Sequence, residues 1–156
     1  MASTKQVVFH LDNEEYGVDI MKVNVIEKYQ EIVKVPNSPE YVEGIINLRG
    51  EILPIFNLRK KFGLREKPVD ENTKIIVVFL GQMKVGFIVD SVSQIINIDD
   101  TQTEVAPRIV TGVSRRYIQS VAKIDERMIV LLDVDLMLED EEKLSLGAIL
   151  EEDNNN

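Results

Sequence analysis

The sequence predicts an all-β protein made of two small barrels, each of about five strands, packed on a shared core. Two observations predict this fold class. Apolar residues fall in short runs separated by glycine, proline, asparagine and aspartate, which is typical of many short strands. The pattern also repeats, because the segment from Gly17 to Asn57 resembles the segment from Gly86 to Asp133 in length and in its order of residues. Closing each set of strands into a barrel would remove exposed sheet edges.

Four segments of the first half have the short apolar pattern of strands: residues 6–12, 15–18, 41–48 and 51–57. Pro36 and Pro39 place a loop before the third of these, because each proline removes a backbone donor. Residues 58–62 are predicted to form a short helical turn. It should end at Gly63, since glycine readily adopts the left-handed conformation that follows a helix.

Residues 20–26 fit two structures. Asp19 is a suitable N-cap, and Ile20, Val23 and Ile26 have the spacing of one helix face. The same residues are mostly β-branched, which favours a strand. The sequence leaves both interpretations open.

Five segments of the second half are predicted as strands: residues 74–80, 84–89, 91–98, 117–124 and 128–132. A short helix is expected at residues 134–138. Residues 99–115 form the longest irregular stretch, because Pro107 and Gly112 interrupt any regular pattern.

The two ends of the chain are polar. Residues 1–5 and 151–156 contain little to bury, so we expect both to be disordered. Between them we expect one domain, residues 6–150, with half-repeats at about 6–63 and 74–138. Exchange of strands between the two barrels remains open.

Composition excludes several classes of function. Acidic residues outnumber Lys and Arg by 27 to 18, and the net charge of −9 argues against nucleic acid as a partner. No apolar run approaches the roughly 18–20 residues of a membrane helix, so we expect a cytoplasmic protein with no direct membrane insertion. The chain has no cysteine, and its one histidine, His10, is expected on the solvent face of a strand rather than as a catalytic base. No cofactor is expected.

One acidic motif could bind a metal ion. Asp133 and Asp135 flank Val134, and Asp90, Asp99 and Asp100 could supply further oxygen ligands for Mg²⁺. The alternative is that Asp133 caps the short helix that follows it, which we favour. A small Mg²⁺-dependent hydrolase is therefore the rival hypothesis from the enzyme class.

Four apolar residues form a stripe near predicted turns: Ile20, Val23, Ile26 and Val92. They either fill the shared core or line an exposed groove between the barrels that receives an apolar helix of a partner. Arg49 is a lone charge within an apolar stretch, at a tight turn. It is either a solvated turn residue or a group that pairs across an interface.

Two adjacent segments suggest a family. Residues 44–50 read Gly-Ile-Ile-Asn-Leu-Arg-Gly and residues 51–59 read Glu-Ile-Leu-Pro-Ile-Phe-Asn-Leu-Arg, which closely resembles the signature of the CheW family. Residues 15–19 and 85–90 support the resemblance, which extends over nearly the whole chain. It implies two intertwined five-stranded SH3-like barrels. It also implies a non-enzymatic adaptor that joins transmembrane chemoreceptors to the histidine kinase CheA.

The resemblance assigns the stripe to the receptor. In this family the helical hairpin tip of a methyl-accepting chemoreceptor lies against a groove between the barrels. This implies that Ile20, Val23, Ile26 and Val92 contact the receptor, and that Arg49 matches the family's arginine associated with receptor coupling. Relatives often carry an acid just before the isoleucine of the stripe, whereas this chain has valine there and Glu27 after it.

The resemblance also implies a kinase surface. Family members contact the CheA regulatory domain through apolar barrel ends, which suggests Ile32 and Ile109 here, with Gly44 in the signature segment. We expect a stand-alone adaptor that is monomeric alone and joins larger receptor arrays at the membrane. A coupling module of the same fold in a non-chemotactic pathway would use the same surfaces.

Overall fold

The computed structural model describes residues 3–105 and 117–137, and these residues are mostly strands. The strands are β1 (Ser3–Leu11), β2 (Glu14–Asp19), β3 (Val23–Lys28), β4 (Val42–Leu48), β5 (Glu51–Asn57), β6 (Lys74–Leu80), β7 (Met83–Val89), β8 (Ser91–Asp99), β9 (Thr103–Glu104), β10 (Ile118–Ile124) and β11 (Arg127–Leu132). Two short helices, α1 (Leu58–Lys61) and α2 (Val134–Met137), follow β5 and β11. The predicted all-β class is confirmed.

The strands form two sheets. The first sheet has six strands in the order β8-β1-β2-β11-β10-β9, and the second has five in the order β3-β6-β7-β5-β4. Each sheet draws strands from both halves of the chain. The first sheet combines β1 and β2 with the late strands, whereas the second combines β3, β4 and β5 with β6 and β7. The halves therefore exchange strands reciprocally, which fits the intertwined arrangement that the resemblance implied.

The two halves have matching parallel strand pairs. In the first sheet β11 runs parallel to β2 and places Leu131 opposite Gly17. In the second sheet β5 runs parallel to β7 and places Ile55 opposite Gly86. A Cβ atom on Gly17 would lie 2.8 Å from Leu131 Cδ2, and one on Gly86 would lie 2.6 Å from Ile55 Cδ1. The repeated glycine therefore leaves room for the aliphatic side chain on the neighbouring parallel strand.

Three apolar clusters of the described residues hold the sheets together. One cluster contains only residues of the first sheet: Val8, Ile98, Ala122, Ile129 and Leu131. A second contains only residues of the second sheet: Ile46, Leu53, Ile55, Ile75 and Val77. The largest cluster, here called the shared core, includes Phe9, Tyr16, Phe56, Phe87 and Met137 and draws on both sheets and both helices. Each sheet thus encloses a small core of its own and packs on its partner through the shared core.

The second sheet comes close to closing into a barrel. Val33, in the segment after β3, forms an isolated antiparallel bridge with Ile45 on β4. Strands β3 and β4 are the two edges of this sheet. The bridge therefore places the segment that follows β3 directly against β4.

The ambiguous residues 20–26 contain both of the structures considered. Ile20–Lys22 form one 3₁₀ turn, and the Asp19 side chain accepts a hydrogen bond from the Met21 backbone at 2.9 Å, as expected of an N-cap. From Val23 the chain continues as β3, in agreement with its β-branched residues. The prediction of a longer helix across residues 20–26 is therefore wrong.

The stretch expected to be irregular, residues 99–115, contains some regular structure. Asp100–Gln102 form another 3₁₀ turn and residues 103–104 form β9, whereas 106–116 lie outside the described residues.

Candidate functional site

The stripe residues lie on the edges of the two sheets. Val23 and Ile26 are on β3, the edge of the second sheet, and Val92 is on β8, an edge of the first. Ile20 lies in the turn that leads into β3. All four side chains are half-buried and pack against the shared core. The stripe therefore belongs partly to the core and partly to the surface, which leaves open whether it receives a partner.

Strand register explains why these side chains point toward the shared core. Val23 is opposite Val78, and Ile26 is opposite Ile76, on the neighbouring strand β6. Both partners are buried in the shared core. Val92 is likewise opposite Phe9 of β1, which is also buried there. An edge strand has a neighbour on one side only, so its core-facing side chains remain partly open.

Two exposed apolar residues adjoin the stripe and were not assigned from the sequence. Ile95 lies three residues after Val92 on β8, opposite buried Val7, and is 53% exposed. Met21 lies between Ile20 and Lys22 and is 80% exposed. The repeat could have indicated Ile95, because Val92 and Ile95 have the same spacing as Val23 and Ile26.

Arg49 is tied to the strand that bears the stripe. It occupies the turn between β4 and β5 with φ of +52°, and its guanidinium Nη2 lies 3.1 Å from Glu27 Oε1 on β3. The Asn47 side chain accepts a hydrogen bond from the Gly50 backbone at 2.9 Å and shapes this turn. Glu27 thus pairs with the arginine of the signature segment although it follows Ile26 in the chain. The Arg49 side chain is 76% exposed, so the ion pair contributes little stability and leaves the guanidinium accessible.

Ile32 and Gly44 lie together at the closing side of the second sheet. Ile32 is half-buried against the core of that sheet. Gly44 is buried with φ of +149°, and a Cβ atom there would lie 2.0 Å from the Val33 carbonyl oxygen and 2.9 Å from Ile32 Cγ2. Glycine at this position therefore permits the close backbone approach of the Val33–Ile45 bridge. Ile109 lies outside the described residues.

The carboxylates of the acidic motif are engaged by protein groups. Asp133 Oδ1 accepts a hydrogen bond from the Asp135 backbone at 3.0 Å, so Asp133 caps α2. Asp135 Oδ2 lies 2.9 Å from Lys22 Nζ. In the part of the chain that the structure describes, no three histidine, aspartate or glutamate residues are grouped so as to hold a metal ion. This geometry favours the capping alternative over the magnesium site.

A buried arginine joins three parts of the fold. Arg59 Nε and Nη2 lie 2.8 and 2.6 Å from the two carboxylate oxygens of Asp90, and Nη2 also donates to Asp12. The Arg59 and Asp90 side chains are only 8% and 11% exposed. Burial opposes ionisation of Asp90, but the hydrogen bonds from Arg59 and from the Asp12 backbone outweigh it and hold the Asp90 pKa below its usual value.

The single histidine is part of a polar row across the first sheet. His10 is half-buried, and its Nε2 lies 3.5 Å from Glu15 Oε1. Arg127 binds the same carboxylate through two nitrogens, at 2.7 and 3.0 Å. The hydrogen bonds from Arg127 outweigh burial and lower the pKa of Glu15. His10 is therefore less exposed than the sequence suggested.

None of the helices in the described ranges is long and apolar enough to cross a membrane.

Comparison with known proteins gives consistent matches over most of the chain. The model of the CheW-like domain matches residues 5–142. The chemotaxis protein CheW of Klebsiella aerogenes is 39% identical over 136 residues, which cover 87% of this chain and 82% of that protein. The chemotaxis protein CheW of Bacillus subtilis is 32% identical over 141 residues, 90% of each chain.

A solved structure agrees with the fold. The crystal structure of the scaffolding protein TtCheW from Thermoanaerobacter tengcongensis matches with a TM-score of 0.82 and 37% identity, covering 91% of this chain and 92% of that one. The matches thus extend through both sheets and the signature segment that contains Arg49. The chain belongs to the CheW-like family of chemotaxis scaffold proteins.

Proposed function

We propose that this protein is a non-enzymatic adaptor that couples transmembrane chemoreceptors to the histidine kinase CheA. Membership of the CheW-like family supports this role. The observation that carries it furthest is the stripe of half-buried aliphatic side chains on the edge strands of both sheets. A partner helix that covered this stripe would complete the burial of side chains that the fold leaves partly open.

The stripe is the proposed receptor surface. Its members Ile20, Val23, Ile26 and Val92 are aliphatic, and exposed Ile95 and Met21 extend the apolar area. An amphipathic helix of the receptor tip would place its apolar face here. Arg49 lies beside β3 with an exposed guanidinium that can bind a carboxylate or carbonyl oxygen at the rim of the contact.

The kinase surface is proposed at the closing side of the second sheet. Ile32 and Gly44 lie against each other there, and neighbouring Val33 is 64% exposed. Ile109, which lies outside the described residues, is proposed as a further contact. The partner at this surface would be the regulatory domain of CheA.

An adaptor with two surfaces would act through mechanical coupling. The shared core packs the two sheets on each other, so a partner bound at the stripe and a partner bound near Ile32 would have a fixed relative placement. A receptor conformation that favours one kinase state over another would then shift the activity equilibrium of the kinase. We propose that the protein is monomeric alone, works on the cytoplasmic side of the membrane and joins receptor arrays there.

Isothermal calorimetry with the regulatory domain of a cognate CheA tests the kinase surface. We expect saturable one-to-one binding, weakened at least about tenfold in Ile32→Glu or Ile109→Glu, because a charge would be buried at an apolar contact. Ile124→Glu is the matched control, since Ile124 is half-buried against the core of the first sheet. Absence of binding by the unaltered protein would overturn the adaptor role. Equal binding by all variants would overturn the assignment of Ile32 and Ile109 to the kinase surface.

A receptor-coupled kinase assay tests Arg49. Arg49→Ala should lower receptor control of CheA, while the thermal unfolding midpoint stays nearly unchanged because the ion pair with Glu27 is exposed. Glu27→Gln is the control that removes the ion pair but keeps the arginine. If both variants lose coupling equally, Arg49 acts only through the ion pair and makes no rim contact.

A further inference from the structure

Within residues 3–105 and 117–137 the chain passes between the two sheets at two crossovers, and each crossover leads directly into stripe residues. The first runs from β2 through the turn Ile20–Lys22 into β3, which carries Val23. The second runs from β7 through Asp90 into β8, which carries Val92. The placement of each crossover therefore sets where its part of the stripe lies.

Each crossover is joined by an ion pair to the short helix of the opposite half. Asp90, at the second crossover, binds Arg59 of α1, which belongs to the first half. Lys22, at the first crossover, binds Asp135 of α2, which belongs to the second half, at 2.9 Å. The two ion pairs are thus reciprocal across the repeat.

The helix partners occupy equivalent positions. Arg59 is the second residue of α1 and Asp135 is the second residue of α2. The residue before each helix also matches, since Asn57 and Asp133 both accept a hydrogen bond from the backbone of the helix they cap. The helix supplies the positive charge in one pair, through Arg59, and the negative charge in the other, through Asp135. The two pairs therefore occupy equivalent places in the fold with their charges reversed.

We propose that Arg59 and Asp135 are positioning residues that hold β8 and β3 in the relative placement needed for the stripe to bind a receptor helix. The inference rests on the receptor role proposed above. It gives a role to the Asp133–Asp135 motif that needs no metal, and to an arginine at the end of the signature segment that is too buried to meet a partner directly.

The two pairs should differ in strength. Arg59 and Asp90 are nearly buried, with two parallel hydrogen bonds, and Asp12 of the β1–β2 turn joins the same guanidinium. The side chains of Lys22 and Asp135 are 45% and 47% exposed and share one contact. A buried bidentate pair holds its two elements more rigidly than an exposed single contact does. We therefore expect the Arg59 pair to dominate the placement of the stripe.

The test measures binding of a soluble receptor fragment that contains the cytoplasmic hairpin tip, alongside binding of the CheA regulatory domain. Arg59→Lys keeps the charge but loses the bidentate geometry, and should weaken receptor binding about tenfold while kinase binding changes less than about twofold. Asp135→Ala should weaken receptor binding at most about twofold. Arg127→Lys is the matched control, because Arg127 also binds a carboxylate through two nitrogens but joins β11 to Glu15 of β2 instead of joining a short helix to a crossover.

A second variant separates positioning from general destabilisation. Arg59→Met combined with Asp90→Asn removes both charges, so no unpaired charge is buried and thermal stability should largely recover relative to Arg59→Met alone. Receptor binding should nevertheless stay weak. In methyl NMR spectra the resonances of Val92 should remain shifted, while those of Ile55 should match the unaltered protein. Receptor binding that recovers together with stability would overturn the inference.

The two proposals fail in different ways. If the unaltered protein does not bind the receptor fragment, the receptor role fails. If the unaltered protein binds it and Arg59→Lys binds equally well, with Val92 resonances unchanged, only the positioning role fails.

Discussion

Asn57 and Asp133 occupy equivalent places in the two halves of the protein. The backbone N–H of Asn57 donates to the Tyr41 carbonyl oxygen at 2.8 Å, and that of Asp133 donates to the Tyr117 carbonyl oxygen at the same distance. Each tyrosine precedes a β-hairpin, and the residue that its carbonyl binds lies at the end of that hairpin and then caps a short helix. The repeat seen in the sequence is therefore present at the level of individual hydrogen bonds.

This equivalence gives a test of the acidic motif. Asp133→Ala should lower the free energy of unfolding by about 1 kcal/mol through loss of the cap, whereas Asp133→Asn should be nearly neutral. Urea unfolding with and without Mg²⁺ measures both effects. Asn57→Ala is the control in the other half and should cost a similar amount. Stabilisation of the unaltered protein by millimolar Mg²⁺ that is lost in Asp133→Asn would instead favour the magnesium hypothesis.

The stripe should bind its partner through both edge strands. Val23→Ser and Ile95→Ser each remove aliphatic surface, and each should weaken binding of the receptor fragment several-fold with kinase binding unchanged. Fluorescence anisotropy of the labelled fragment measures this. Met128→Ser is the control, because Met128 is exposed on β11 and lies outside the stripe. A loss for Val23→Ser without one for Ile95→Ser would exclude Ile95 from the contact.

The glycines differ in the stability that an added methyl group would cost. Gly44→Ala should lower the free energy of unfolding by about 3 kcal/mol or more, because its Cβ would meet the Val33 carbonyl oxygen, which is backbone and cannot rotate away. At Gly50 nothing lies within 4 Å, so Gly50→Ala should cost only about 1 kcal/mol from its positive φ. Chemical denaturation measures both. Equal losses of stability for Gly44→Ala and Gly50→Ala would show that the backbone at the Val33–Ile45 bridge moves to accommodate the added methyl group.

Stability should depend on the ionised form of Asp90. Its pKa is lower in the folded protein than in the unfolded chain, where it is about 3.9. Its contribution is therefore present above the unfolded pKa and is lost as the pH falls through the folded pKa. We expect Asp90→Asn to be less stable than the unaltered protein at pH 7, with the difference shrinking between about pH 5 and pH 2.

Thermal unfolding at several pH values measures that difference. Ser91→Ala, a neutral change at the adjacent position, is the control, and its effect should not vary over this range. A constant difference between Asp90→Asn and the unaltered protein would contradict the assigned role of the carboxylate.

Local pattern was enough to predict most elements. The bounds of β5 and β6 agree with the predicted residues 51–57 and 74–80, because alternating apolar residues and flanking turns are local features. The Asp19 cap was also predicted correctly. Residues 20–26 were harder, since a single 3₁₀ turn is too short to impose a helical period on the sequence.

Long-range features could not be read from local pattern. Membership of a strand in one sheet or the other depends on pairing between residues far apart, so strand exchange became visible only in the structure. The Glu27–Arg49 pair depends on the second sheet curving until its edges meet. The assignments of Ile32, Gly44 and Ile109 to the kinase, and of the stripe and Arg49 to the receptor, remain predictions.

Reciprocal strand exchange has a consequence for how the chain folds during synthesis. When β3, β4 and β5 have left the ribosome, they still lack β6 and β7, and β5 would have no direct neighbour on its far side. Likewise β1 and β2 wait for β8 and β11 before their outer edges are paired. Neither half can complete a sheet alone, so the nascent first half exposes apolar edges until the second half is made. We therefore expect commitment to the native fold to be a late event, and a chain stalled midway to expose the unpaired apolar edges that chaperones bind.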